Sequence, residues 1–231
     1  MSHSDHAMPV TVSQGLFWAG TRLSPDSPLY NMAFRIDYQA ALEAVPFAAA
    51  VDAVVSESDA LRSVFVSVDG VLTARVLEAG RHRHQFVDLG GEDNPESAAD
   101  DWIAHRMRHR FDLSETTLDS ALLRLGDDRW TWFFNQHHIA TDAWAASLVY
   151  RRVGEHYAQR VGTGPGPQAA LPAFAAHVHD EQRGRDSAAH AAAAEHWREK
   201  LEAAGQRLSL YGRPADSQRG VSRRLRVALG A

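Results

Sequence analysis

Runs of alternating apolar and polar residues, broken by stretches with helical spacing, divide the chain into short elements. Asn31 to Tyr38 places Met32, Phe34, Ile36 and Tyr38 on one face of a predicted strand. From Ala40 to about Ser58, Leu42, Val45, Ala49, Val51 and Val55 recur as on one side of a helix, and Pro46 fits only in its first turn. Leu61 to Val68 and Val71 to Leu77 flank Asp69-Gly70, a strong hairpin signal. Gln85 to Leu89 reads as a further strand. A helix from about Glu96 to Arg110 is expected to turn Trp102, Ile103 and Met107 inward. Ala121 to Leu125 and Arg129 to Gln136 form a second hairpin. Its last arm carries Trp130, Trp132 and Phe134 on one face and Phe133 on the other, the mark of a strand covered on both sides.

Helical spacing dominates at both ends. Ser13 to Gly20 gives a short helix carrying Leu16, Phe17 and Trp18, stopped by Ser24-Pro25-Asp26-Ser27-Pro28. Asp142 to about Gly162 sets Ala146, Tyr150, Val153 and Tyr157 at core spacing. Beyond the linker Gly162 to Pro167 come two more helices, Phe174 to Gln182 and Ser187 to Ala204, the second with Trp197 and Leu201 four apart. Arg224 to Leu229 alternates like a strand. Helices and hairpins interleave, which predicts an α+β fold, a two-layer lobe with a mixed sheet packed by helices.

Composition narrows the function classes. In 231 residues the chain carries 45% hydrophobic and 23% charged residues, enough to bury a sizeable core. A formal charge of −5 gives no reason to expect nucleic acid, and the basic end Arg219 to Arg226 reads as a solvated strand face. The absence of cysteine excludes disulfides, thiolate catalysis and thiolate metal sites. No segment has the length of a membrane span or the pattern of a signal peptide, so the expectation is a cytoplasmic protein with no membrane partner. His105 and His109 lie at i,i+4, but no second acidic motif completes a metal site, and His82, His84, His177 and His179 read as surface or cap residues. No bound cofactor and no metal are expected.

One stretch carries chemistry. His137 and His138 end the doubly covered strand, and Asp142 follows four residues later at a helix start. Neighbouring strand side chains point to opposite faces, so only one of the two imidazoles can face a given cleft. Asp142 sits where free backbone N–H groups and the helix dipole favour a carboxylate.

His137-His138-Ile139-Ala140-Thr141-Asp142-Ala143-Trp144 closely resembles the His-His-x-x-x-Asp-Gly signature of condensation domains in nonribosomal peptide synthetases, which belong to the chloramphenicol-acetyltransferase-like superfamily. Ser13 to Trp18 is similar to the family's opening motif, with Leu16 at a usual Arg. Asp59-Ala60-Leu61-Arg62-Ser63-Val64-Phe65 resembles the second motif, with Glu57-Ser58 replacing its usual Arg-His. Glu195-His196-Trp197-Arg198 with Leu201 is similar to the Tyr-Trp-Arg-x-x-Leu helix, followed by Arg213-Pro214 and Arg219-Gly220.

The resemblance implies several expectations. Residues 1–161 would be the N-terminal lobe, and 162–231 the linker, crossover helices and start of a second lobe, the C-terminal lobe itself being missing. The activity would be amide formation between carrier-protein-bound acyl or peptidyl and aminoacyl thioesters, with the phosphopantetheine arms as substrates and carrier proteins and other synthetase domains as partners. His138 would be catalytic, His137 would pack behind it, and Asp142 would pair with Arg62. Ala143, at the usual Gly, and Trp144 would lie in the pocket. The retained His-His pair argues against heterocyclisation, and Trp144 fits condensation better than epimerisation. The alternatives are a relative that acylates a free small-molecule acceptor, and a non-catalytic half-domain acting as an interaction module.

Overall fold

The structure is a computed structural model, and it describes residues 7–204. Two compact units divide the chain, Met1–Gln182 and Arg183–Ala231. The strand expected at Arg224 to Leu229, the Arg213-Pro214 and Arg219-Gly220 segments and the basic end lie outside the described residues.

The first unit is built on a four-stranded sheet in the order β1-β6-β5-β4, from β1 (Asn31–Gln39), β4 (Gln85–Asp88), β5 (Leu118–Arg124) and β6 (Arg129–His137). β6 runs antiparallel to both neighbours, and β4 is parallel to β5, so the sheet is mixed as the interleaved pattern predicts. A separate hairpin, β2 (Ser63–Val68) and β3 (Val71–Val76), turns at Asp69-Gly70, both with positive φ, and Met8 bridges to Ala74 on its free edge.

Alternation along β6 organises the core. Trp130, Trp132 and Phe134 face α2 (Ala44–Glu57) and α4 (Ala143–Arg160), meeting Phe47, Val51, Val54 and Val153. Phe133 faces the other way and packs with Leu123 against Ala99 and Ile103 of α3 (Pro95–Arg106). All of β6 after Arg129 is buried, as a strand covered on both faces must be. A third cluster, Phe65, Ala74, Phe111, Leu113 and Ile139, joins the hairpin to the turn after β6.

Charged contacts fix the helices over this core. Glu57 at the end of α2 takes Arg152 at 2.8 Å and His156 at 2.7 Å from α4. The Asp59 carboxylate accepts from Ala60 N at 3.0 Å and from Phe174 N at 2.8 Å, so it caps both the 3-10 turn Ala60–Arg62 and the start of α5 (Phe174–Arg185). In the second unit α6 (Ala188–Ala203) is capped by Ser187 and buries no residue of its own, with Trp197 and Leu201 both exposed.

Several expected core positions are corrected. Pro46 does lie in the first turn of α2, but Val45 is 80 % exposed because the apolar face is led by Phe47. Met107 is exposed because α3 ends at Arg106, one turn earlier than predicted. Tyr150 is exposed at one edge while its ring stacks on Trp132 at 6.2 Å. Among the described residues no helix is long and apolar enough to cross a membrane.

Because Phe133 is wholly buried, Phe133→Ala should destabilise the fold by about 3–5 kcal/mol, while Leu16→Ala at an exposed position should cost less than about 0.5 kcal/mol. Urea denaturation of the two variants separates these outcomes.

Candidate active site

The site begins with α1 (Val12–Leu23), whose start is set by a reciprocal cap. Gln14 N donates to Thr11 Oγ1 at 3.2 Å, and Thr11 N donates to the Gln14 side-chain carbonyl at 3.0 Å. This explains a buried glutamine in a surface helix, and it fixes the helical phase. Phe17 and Thr21, one turn apart, then face the end of β6. Gly20 leaves room for the Tyr30 ring, since a Cβ there would stand 2.1 Å from the Tyr30 hydroxyl.

His137 is buried and His138 half-buried, on opposite sides of the strand end as alternation requires. His137 Nδ1 accepts from Ile139 N at 3.2 Å, so its proton is on Nε2, which donates to Thr21 Oγ1 at 3.2 Å. The Thr21 hydroxyl donates in turn to the Phe17 carbonyl at 2.8 Å. Burial, with the neighbouring His138 adding to it, pushes the His137 imidazole down to about 4. His137 is therefore a neutral packing residue, wedged edge-on between Tyr30 and Phe111.

His138 is held differently. Its ring stacks on Phe17 with centroids 4.4 Å apart and planes 17° apart, and its backbone N–H donates to Tyr30 O at 2.8 Å. Its Nδ1 lies 2.8 Å from Thr141 O. A carbonyl can only accept, so Nδ1 carries the proton, and in the neutral ring the lone pair is on Nε2. The arrangement offers a fixed imidazole with one nitrogen available to a proton or to an amine.

Asp142 supports this arrangement from below. It is the N-cap of α4, and its Oδ1 accepts from Ala145 N at 2.7 Å. Capping fixes where α4 begins and hence where the Thr141 carbonyl points. The expected Asp142–Arg62 ion pair is not formed: Asp142 spends its carboxylate on the cap, and Arg62 Nη1 donates to the Leu77 carbonyl. Ala143 takes the first helical position without positive φ, so the missing glycine costs no strain. Trp144, 75 % exposed, and Ala143, also exposed, stand at the helix start.

Sequence reasoning missed Phe17, Thr21 and Tyr30. Phe17 reads as an ordinary core residue, and only its i,i+4 relation to Thr21 hints at a shared face. The same reasoning placed His82 and His84 at the surface. Instead burial lowers both imidazoles, His84 to about 4, and His84 Nδ1 sits 2.8 Å from Ser120 Oγ. His105 and His109 do not share a helix, since α3 ends between them, and no cluster that could hold a metal occurs among the described residues.

A capped turn thus presents one half-open imidazole at the end of a strand inside a mixed sheet. The chain belongs to the condensation domain family, whose profile matches residues 4–230. It is 32% identical over 226 residues to an isonitrile lipopeptide synthase of Streptomyces coeruleorubidus, covering 96% of this chain and 15% of that protein. It is 30% identical over 150 residues to a dimodular nonribosomal peptide synthase of Bacillus subtilis, covering 64% of this chain and 6% of the synthase. Among solved structures, the starter condensation domain of rhizomide synthetase RzmA in complex with C8-CoA superposes with a TM-score of 0.79 at 26% identity, covering 87% of this chain and 48% of that one. The first condensation domain of the calcium-dependent antibiotic synthetase gives 0.79 at 22% identity, covering 89% and 50%, a likeness of fold alone. The chain thus spans about half the length of these solved domains and a small part of the curated synthases.

Two outcomes follow from the geometry. Imidazoles held near 4 in the fold regain their ordinary value near 6.5 on unfolding, so the unfolded chain binds more protons between those limits. Stability should be full above about pH 6.5 and fall as pH drops toward 4. Chemical denaturation across that window should show a shallower fall for His84→Asn. Phe17→Leu removes the stacked ring: the His138 ring-proton signals should lose their upfield ring-current shift, and Phe17→Tyr should restore it.

Proposed function

We propose that this chain supplies the histidine-bearing half of a condensation domain that joins a carrier-bound acyl or peptidyl thioester to a carrier-bound aminoacyl thioester. The observation that carries this reading is the His138 ring, with Nδ1–H bound to Thr141 O and Nε2 left free. Residues 1–161 act as the N-terminal lobe, and 162–231 lead toward a second lobe that completes the tunnel. His138 is the catalytic residue. His137 and Asp142 set its place, through packing and through the helix cap.

In the reaction the acceptor amine attacks the donor thioester carbonyl, forming the C–N bond, and the tetrahedral intermediate expels the donor thiolate as the C–S bond breaks. His138 Nε2 accepts the amine proton as it is lost, and that proton ends on the departing pantetheine sulfur. An imidazole suits this task at neutral pH, and proton transfer by a positioned group is worth roughly 10²–10⁴ in rate. Holding both pantetheine arms at one point supplies the rest by proximity. Trp144, exposed at the start of α4, stands where a second lobe or a substrate arm would cover it.

In the complete synthetase, His138→Ala should lower single-turnover amide formation by about 10²–10⁴ with an unchanged circular dichroism spectrum. Undiminished turnover would overturn the assignment. Offering the acceptor as a free amine in place of the carrier-bound form tests the other expectation: equal rates would move the activity to small-molecule acylation. Donor loading on coenzyme A rather than on a carrier, as in the rhizomide complex, is tested in the same assay.

A further inference from the structure

Arg62 does not pair with Asp142, and its surroundings differ from those of an ion-paired arginine. Its guanidinium lies in the wall of a cavity of about 470 Å³ on the first unit, between the β2–β3 hairpin, the 77–85 segment and the 106–119 segment. One edge of the group is used by the Leu77 carbonyl. Nε is buried and meets no protein acceptor, and among the described residues no carboxylate lies within ion-pair distance of Arg62. His82 Nε2, in the same wall, is also buried and without a protein partner.

Arg62 is half-buried, and a partly desolvated guanidinium with no carboxylate beside it is costly. The neighbouring charges sharpen the point. Arg106 is already held in a two-point bond to Asp119, at 2.7 and 3.0 Å. Arg81 and Arg83 stand exposed at the mouth, without ion-pair partners among the described residues. Glu78 and Glu115, also at the mouth, oppose them, leaving three unpaired guanidiniums against two carboxylates. The only one of these five groups carried inward is the cation Arg62.

We propose that this cavity binds a small oxyanion, a carboxylate or a phosphate group, on the Arg62 guanidinium, with Arg83 at the mouth as a second contact. The volume lies within the usual range for small-ligand sites, and a guanidinium edge matches both anions in geometry. The inner wall includes Phe111 and Thr117, which also touch His137 by ring contact and through the backbone bond from His137 N to Thr117 O. An occupant would therefore lie behind the histidine turn, on the side away from the open nitrogen of His138. The site stands whether or not the chain performs amide formation, because the test reads binding.

The full-length protein carrying this chain is titrated by calorimetry with inorganic phosphate and, separately, with succinate, at ionic strength held constant with chloride. Saturable binding of either anion, weakened about tenfold by Arg62→Met and about threefold by Arg83→Gln, is expected, and which anion binds tells phosphate from carboxylate recognition. No saturable binding, or affinity untouched by both substitutions, overturns the proposal. If Arg62→Met fails to fold, Arg83→Gln at its exposed position decides alone: unchanged affinity overturns the site.

Discussion

Two successive side chains at the end of a strand must point to opposite sides, and everything distinctive here follows from that constraint. A pair of histidines cannot both be open to a cleft. The strand that carries them is buried along almost its whole length, so the inner imidazole has to be kept neutral and given protein partners. The Ile139 amide and the Thr21 hydroxyl do this for His137. The outer imidazole is then free to be oriented by different groups, Phe17 against its face and the Thr141 carbonyl at its edge.

Helix α1 is what makes the division possible. A single turn of it serves both rings, through Phe17 on one and Thr21 on the other, and its phase is locked by the Thr11–Gln14 cap at the opposite end. The glutamine of the opening motif and the aspartate of the histidine motif thus do the same kind of work. Each decides where a helix begins, and each acts on the imidazoles from a distance through the backbone. The resemblance to the family implied an ion pair for Asp142. Here a helix cap takes its place, which satisfies the same carboxylate with a neutral donor.

Much of the lobe is written in local patterns. The Asp69-Gly70 hairpin, the doubly apolar run around Phe133, and Pro46 in the first turn of its helix are all set by neighbours in sequence. The histidine pair and the start of α4 could be placed for the same reason. What was not legible depends on segments distant in the chain. Nothing near Phe17 says that it will lie flat on a ring at position 138. Nothing near Arg62 says whether its partner is Asp142 or a carbonyl fifteen residues on. His84 reads as a surface residue until β4 carries it against Phe47 and Ser120. The length of α3 was overestimated because apolar spacing continues past its last hydrogen-bonded turn.

The doubled cap at Asp59 bears on how such a chain tolerates change. Between α4 and α5 lies a glycine- and proline-rich stretch that has little means of dictating where the next helix starts. The carboxylate that receives the first amide of α5 sits 115 residues upstream. With the endpoint pinned from outside, insertions and deletions in the intervening linker can accumulate as slack, to be taken up by the loop, without shifting the register of the helix it feeds. The drift of a connector and the fixity of its destination are then separate matters, decided at different places in the gene.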